Sequence, residues 1–146
     1  MKIVIGSDHG GYELKNELIE FLKNEKYAVE DMGTHSKDSC DYPMIGFEVA
    51  KAVSSGKADK GVLICKTGVG MAIIANKLRN VRSAVASTIS QAKTSRQHND
   101  TNVLSLAAKY INFDKAKKIV DTWLKTEAES GRHARRVNEI QKLERP

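Results

Sequence analysis

The sequence predicts an α/β fold: a three-layer, Rossmann-like domain with a five-stranded parallel sheet, helices on both faces and an extra C-terminal helix. Three observations carry that expectation. Strand-like and helix-like segments alternate from the first residue, the pattern of a parallel sheet with crossover helices. Gly61–Cys65 holds a continuous apolar run, Val62-Leu63-Ile64, as expected of a strand covered on both faces. Glycine turns stand where strands should end, at Gly6, Gly33 and Gly68.

Taken in order, Lys2–Gly6 is a short β-branched strand, and Tyr12 to Asn24 places Leu14, Leu18, Phe21 and Leu22 on one helical face. Ala28–Met32 is a second strand, closed by Gly33-Thr34. Asp41-Tyr42-Pro43 opens a helix with Pro43 in its first turn and Met44, Phe47, Ala50 and Val53 on one face, ending at Ser55-Gly56. Gly61–Cys65 is followed by Thr67-Gly68-Val69-Gly70 and a helix over Met71–Leu78. Ser83–Ala86 is a fourth strand, followed by a helix from about Ser90 to Arg96, and Val103–Leu106 is a fifth strand. Asp114 to Lys125 is amphipathic, with Ala116, Ile119, Val120, Trp123 and Leu124 inward. A last helix begins near Gly131 and carries a Val137, Ile140, Leu143 stripe. It follows another helix and is strongly basic elsewhere, so a partner subunit is its expected packing surface. With no repeat or linker, residues 1–146 are expected to form a single domain.

Composition narrows the function classes. The chain is 40% hydrophobic and 29% charged, a globular balance. No apolar run approaches the roughly 20 residues that span a bilayer, and no signal-peptide core follows Met1, so no membrane partner and a cytoplasmic location are expected. Two cysteines, Cys40 and Cys65, are too few for a disulfide framework. A net charge of +6 suits an acidic partner, but aromatics are only 5% of the chain and none is interleaved with Lys or Arg as a stacking platform. A small anion is favoured over nucleic acid.

Ligands of open parallel sheets bind beyond the carboxyl ends of the strands. Three polar clusters are expected there: Gly6-Ser7-Asp8-His9-Gly10-Gly11, Cys65-Lys66-Thr67-Gly68-Val69-Gly70, and Arg96-Gln97-His98-Asn99-Asp100 before the fifth strand. A strand, a glycine turn and a helix N-terminus present N–H groups to an anion. The dinucleotide fingerprint fails because its third glycine would fall at Ile73, and the P-loop fails because Cys65 stands where glycine is required. Cys65 is either a small buried hydrophobe or, with its thiolate favoured beside a helix N-terminus, a general base. No histidine pair has metal-ligand spacing, which favours acid–base work over a metal site. Arg132 and Arg136, four residues apart, suit either a phosphate clamp or a solvated basic face.

Together these residues resemble the ribose-5-phosphate isomerase B family, which includes the galactose-6-phosphate isomerase subunits. The resemblance rests on Gly6–Gly11, Asp41-Tyr42-Pro43, Cys65-x-Thr67-Gly68-Val69-Gly70-Met71 and Ala75-Asn76-Lys77. It continues through Ser95-Arg96-Gln97-His98-Asn99-Asp100-x-Asn102-Val103 and Gly131-Arg132-His133-x-x-Arg136-Val137. It implies metal-free, cofactor-free interconversion of ribose 5-phosphate and ribulose 5-phosphate. In that scheme His98 with Asp8 opens the ring, and Cys65 moves a proton between C1 and C2 through a cis-enediolate. Thr67 orients or shuttles a proton, and the N–H groups of Lys66, Thr67, Gly68, Val69 and Gly70 hold the oxyanion. Arg132, Arg136 and His9 hold the phosphate, and Asn99 contacts the sugar. It also implies a homodimer or homotetramer with sites shared between subunits.

The chain departs from the pattern at three places. Lys66 stands where the family has glycine; in a left-handed conformation a side chain there would cost about 1–2 kcal/mol, and its side chain is expected to point away from the thiol. Lys109 stands where arginine often contacts phosphate, keeping charge without the bidentate fork. Ser90-Gln91 replace a stretch that often carries an aromatic. The rival readings are an allose 6-phosphate or galactose 6-phosphate isomerase, and a non-catalytic sugar-phosphate-binding protein. Cys65, His98, Arg132 and Arg136 together in one chain favour a self-sufficient pentose-phosphate enzyme over one of two complementary subunits. The non-catalytic reading would need lost acid–base residues, of which there are none.

Overall fold

The structure, a computed structural model, describes residues 1–145. Its elements are β1 (Lys2–Ser7), a 3-10 turn (His9–Gly11), α1 (Tyr12–Asn24), β2 (Ala28–Asp31), α2 (Tyr42–Ser54) and β3 (Lys60–Cys65). They continue with α3 (Val69–Ala75), β4 (Ser83–Val85), α4 (Ile89–Asn99), β5 (Val103–Ala107), α5 (Phe113–Lys125) and α6 (Arg132–Leu143). The five strands are parallel in the order β2-β1-β3-β5-β4. From β1 the chain moves outward to β2, then returns to lay β3 on the other side of β1. That reversal opens a crevice beyond the carboxyl ends of β1 and β3, the switch point where ligands of such sheets bind.

Side chains alternate across each strand. Ile3, Ile5, Val62, Ile64, Leu104 and Leu106 face α1 and α5, where Leu14, Leu18, Leu22, Ile119 and Trp123 complete one core. Val4, Leu63, Cys65 and Val103 face α2 and α3, against Val49, Ala50, Val53 and Met71. Among the described residues, no helix is long and apolar enough to cross a membrane.

Several element boundaries and faces differ from the sequence expectation. α3 starts at Val69 rather than Met71 and stops at Ala75 rather than Leu78. Asn76 ends it by bonding both ways to the backbone of Ser83, Nδ2 to the carbonyl at 2.9 Å and Oδ1 from the N–H at 2.7 Å. α4 runs to Asn99 instead of Arg96, begun by the Thr88 side chain, which accepts the Gln91 N–H, and ended by Asp100 at φ 45°. In α2 the buried face is Gly46, Val49, Ala50 and Val53, whereas Met44 is 66% exposed. In α6 only Val137 is buried; Ile140 and Leu143 are exposed.

Lys15 sits on the buried face of α1 with no exposed surface. Its ammonium donates to both oxygens of Asp31 at 2.8 Å and lies 5.4 Å from the centre of the Tyr12 ring. Burial pushes the Asp31 carboxyl up, but the Lys15 hydrogen bond, the Gly33 N–H and the charges of Lys15 and His35 outweigh it and hold it below 3.8. A depressed folded value means that this stabilisation is present above pH 3.8 and is lost as pH falls through the folded value. Lys15→Met is expected to cost about 2–3 kcal/mol at pH 7, less than for a fully buried pair because Asp31 is partly exposed. Urea melts should also show a shallower loss of stability as pH falls below about 4 than in the wild type; equal slopes would count against the pairing.

Candidate active site

The first half of the site lies in the crevice at the carboxyl edge. Ser7 is in register with Ile64, and the next N–H, of Asp8, donates to the Ile64 carbonyl at 3.2 Å, so the turn after β1 lies across the end of β3. Asp8 caps that turn: its Oδ1 accepts the N–H groups of Gly10 at 2.9 Å and Gly11 at 3.2 Å. A Cβ on Gly11 would stand 2.6 Å from Ile64 Cγ2, so only glycine lets the turn pack this closely. His9 is exposed, and its Nδ1 accepts the Cys40 N–H at 3.3 Å.

Cys65 ends β3 and is 5% exposed. Its Sγ accepts the N–H of Gly68 at 3.2 Å, an aim that Gly68 achieves in a left-handed conformation, φ 76°. Thr67 Oγ1 accepts the Val69 N–H at 3.3 Å. The N–H groups at the start of α3 have no acceptor within the helix, and they face the same edge as the thiol. Gly70 is held under Tyr42, whose ring a Cβ would meet at 2.5 Å. Lys66 is exposed and is not among the non-glycine residues with positive φ, which are Lys26, Asn80 and Asp100. The strain expected of a side chain at this position is therefore not incurred. Its carbonyl accepts the Lys109 N–H at 3.0 Å, which sets Lys109 beside the loop at the end of β5.

The second half lies elsewhere. The sequence expectation put Arg96–Asp100 with the other two clusters, but α4 returns the chain to the amino edge before β5 begins. His98 and Asn99 occupy its last turn, next to the start of β5, whereas Cys65 pairs with Ala107 at the far end of that strand. The length of β5 alone, about 13 Å, separates the two edges. Arg96 fixes the end of α4 by donating to Asp100 Oδ1 at 2.7 Å and to the Thr101 carbonyl at 2.6 Å.

The start of α6 packs against this turn. The His98 and His133 rings stack with centroids 4.1 Å apart and planes 8° apart, and Glu129 Oε2 lies 3.6 Å from His133 Nε2. Burial lowers the proton affinity of His133, the charges of His98, Arg132 and Arg136 lower it further, and Glu129 only partly opposes them. The ring is accordingly neutral at pH 7. Arg132 and Arg136 are exposed, and among the described residues neither pairs with a carboxylate. Ligand atoms of His98, Glu129 and His133 lie within 4.8 Å of one another, a grouping that sequence spacing hides. A metal must lie near the plane of each ligating imidazole, and one ion cannot lie in two parallel planes; the stacked pair does not chelate without turning a ring.

The structure thus joins Asp8, His9, Cys65, Lys66, Thr67, Gly68, Val69, Gly70 and Lys109 at one edge. It gathers His98, Asn99, Arg132 and Arg136 at the other. Sequence reasoning passed over Glu129 and gave His133 no role, because their neighbour His98 is remote in the chain.

A profile of the Ribose/Galactose Isomerase family matches residues 3–140. Ribose-5-phosphate isomerase B of Escherichia coli is 46% identical over 143 residues, covering 98% of this chain and 96% of that protein. The structure of Clostridium thermocellum ribose-5-phosphate isomerase B superimposes with a TM-score of 0.97 at 52% identity, covering 99% of this chain and 97% of that one. The Mycoplasma genitalium enzyme, solved with bound ribulose-5-phosphate, gives 0.94 at 40% identity, covering 97% and 94%. Likeness that runs over nearly the whole chain, in sequence and in structure alike, places the chain in a family: it belongs to the ribose/galactose isomerases.

Proposed function

We propose that the protein is an aldose–ketose isomerase that interconverts ribose 5-phosphate and ribulose 5-phosphate without a metal or cofactor, residues 1–146 acting as one domain in the cytoplasm. The observation that carries this is the Cys65 thiol at the switch point, with the Gly68 N–H on its sulfur and the start of α3 beside it. The bound ribulose-5-phosphate of the M. genitalium relative supports the five-carbon substrate.

His98 and Asp8 open the furanose, moving the proton of the C1 hydroxyl and supplying one to the ring oxygen. Both backbone donors of the turn fall on Asp8 Oδ1, which leaves Oδ2 for this work. Cys65, as thiolate, then takes the C2 proton. The electron pair moves into a C1–C2 double bond and the carbonyl O1 becomes the oxyanion of a cis-enediolate. The N–H groups of residues 66–70 stabilise that charge, each such donor being worth about 3–4 kcal/mol in comparable sites. Thr67 passes a proton between O2 and O1, and the Cys65 thiol returns its proton to C1. Arg132, Arg136, His9 and Lys109 bind the phosphate, and Asn99 the sugar.

Because the two groups of residues lie at opposite sheet edges, one copy supplies Cys65 and another supplies His98, Arg132 and Arg136. The surface flanking the Cys65 edge supports this pairing. Val69 and Ile73 on α3 are 52% and 56% exposed, beside Tyr42, Met44 and Phe47 on α2, an apolar face suited to burial against a second copy. The state is a homodimer, or a homotetramer built from it; neither membrane nor nucleic acid takes part.

NMR of ribose 5-phosphate with the purified protein and a chelator tests the reading. Ribulose 5-phosphate is expected to appear until equilibrium is reached. No conversion by a folded protein would move the assignment to a six-carbon sugar phosphate or to a silent binder.

A further inference from the structure

β5 is buried along its whole length, and a strand covered on both faces is ordinarily apolar throughout. Ser105 interrupts it with no exposed surface, where a hydroxyl is costly unless bonded. Its Oγ donates to the carbonyl of Gly68. That carbonyl also accepts the Ala72 N–H at 3.1 Å, the first bond inside α3. Gly68 is the residue whose N–H meets Cys65 Sγ. A Cβ on it would stand 3.1 Å from the Leu106 carbonyl carbon, so the loop is seated directly on the β5 backbone. Two donors on one carbonyl fix the peptide after Gly68, and with it the left-handed turn that aims the N–H before it. The same bonds polarise the Gly68–Val69 peptide, which makes the Val69 N–H a stronger donor.

We infer that Ser105 is a positioning residue for isomerisation: from the neighbouring strand, its hydroxyl holds the Gly68 peptide so that the loop's N–H groups meet the Cys65 sulfur and the developing enediolate. This rests on the isomerase reading above. Ser105 itself touches no reacting atom. Because the oxyanion exists fully only beyond the ground state, loss of the anchor should appear in kcat rather than in KM.

Ser105→Ala, which removes the hydroxyl without adding bulk, is expected to lower kcat about five- to tenfold with KM within about twofold, the scale of one hydrogen bond. Ser105→Thr, which restores the hydroxyl, should return kcat to within about twofold of wild type. Exchange of the Gly68 amide with solvent, read by NMR, should quicken in the alanine variant and slow again in the threonine variant. A merely structural role would move the melting temperature and leave kcat and the threonine rescue unmoved. An alanine variant within twofold of wild-type kcat, or alanine and threonine variants equally impaired, overturns the assignment while the isomerase reading stands. A wild type inactive on ribose 5-phosphate sinks that reading, and this one with it.

Discussion

Cys65→Ala is expected to lower kcat for ribose 5-phosphate by about 10²–10⁴, the range over which a positioned proton-transfer group contributes, while KM changes only a few-fold. The reason is spatial. Among the described residues, Cys65 is the one ionisable side chain that ends a central strand at the switch point with a backbone donor on its reacting atom. In the proposed arrangement the phosphate is held by cationic side chains and not by the sulfur, so ground-state binding is expected to survive the substitution. Cys65→Ser should fall with it, since a hydroxyl is a far poorer base at neutral pH. The loss can be assigned to proton transfer by following exchange of the substrate C2 hydrogen with solvent deuterium. Turnover and exchange should disappear together. An alanine variant that keeps more than a tenth of the wild-type rate would require another base.

Two inactive variants mixed together should regain activity. In the proposed homodimer, Cys65→Ser and His98→Ala would each spoil both sites. In the mixed dimer, one site receives both lesions and the other receives intact Cys65 and intact His98. Random re-association makes half of the dimers mixed, each with one working site of two, so about a quarter of wild-type activity should return in a two-fold symmetric assembly. The same experiment with Cys65→Ser and Thr67→Ala should recover nothing, because both residues sit on one loop of one chain. Recovery in the second mixture, or none in the first, would overturn the division of the site between copies.

What was legible in the sequence is what the chain builds locally. The cysteine half spans a strand, a turn and a helix start within residues 60–75, and its glycines and apolar run mark each piece. The placement of His98 was not legible. The last turn of α4, Gln97-His98-Asn99, has no apolar residue to extend the periodicity, so the sequence pattern ends the helix at Arg96 and does not reveal that the turn beyond it lies at the amino edge. Lys15 lies on a buried face only because Asp31, sixteen residues on, meets its ammonium. Ile140 and Leu143 show the converse: their spacing is that of a buried stripe, but in the folded chain both are exposed.

The exposed faces of α2 and α3 have a kinetic consequence. If each working site needs parts of two chains, catalysis obeys mass action in the protein itself. Above the dissociation constant of the pair, rate rises in proportion to protein; well below it, rate rises with the square of the concentration and specific activity falls on dilution. Those apolar helices would then act as a threshold: a cell making too little of the chain would lose flux faster than it loses protein.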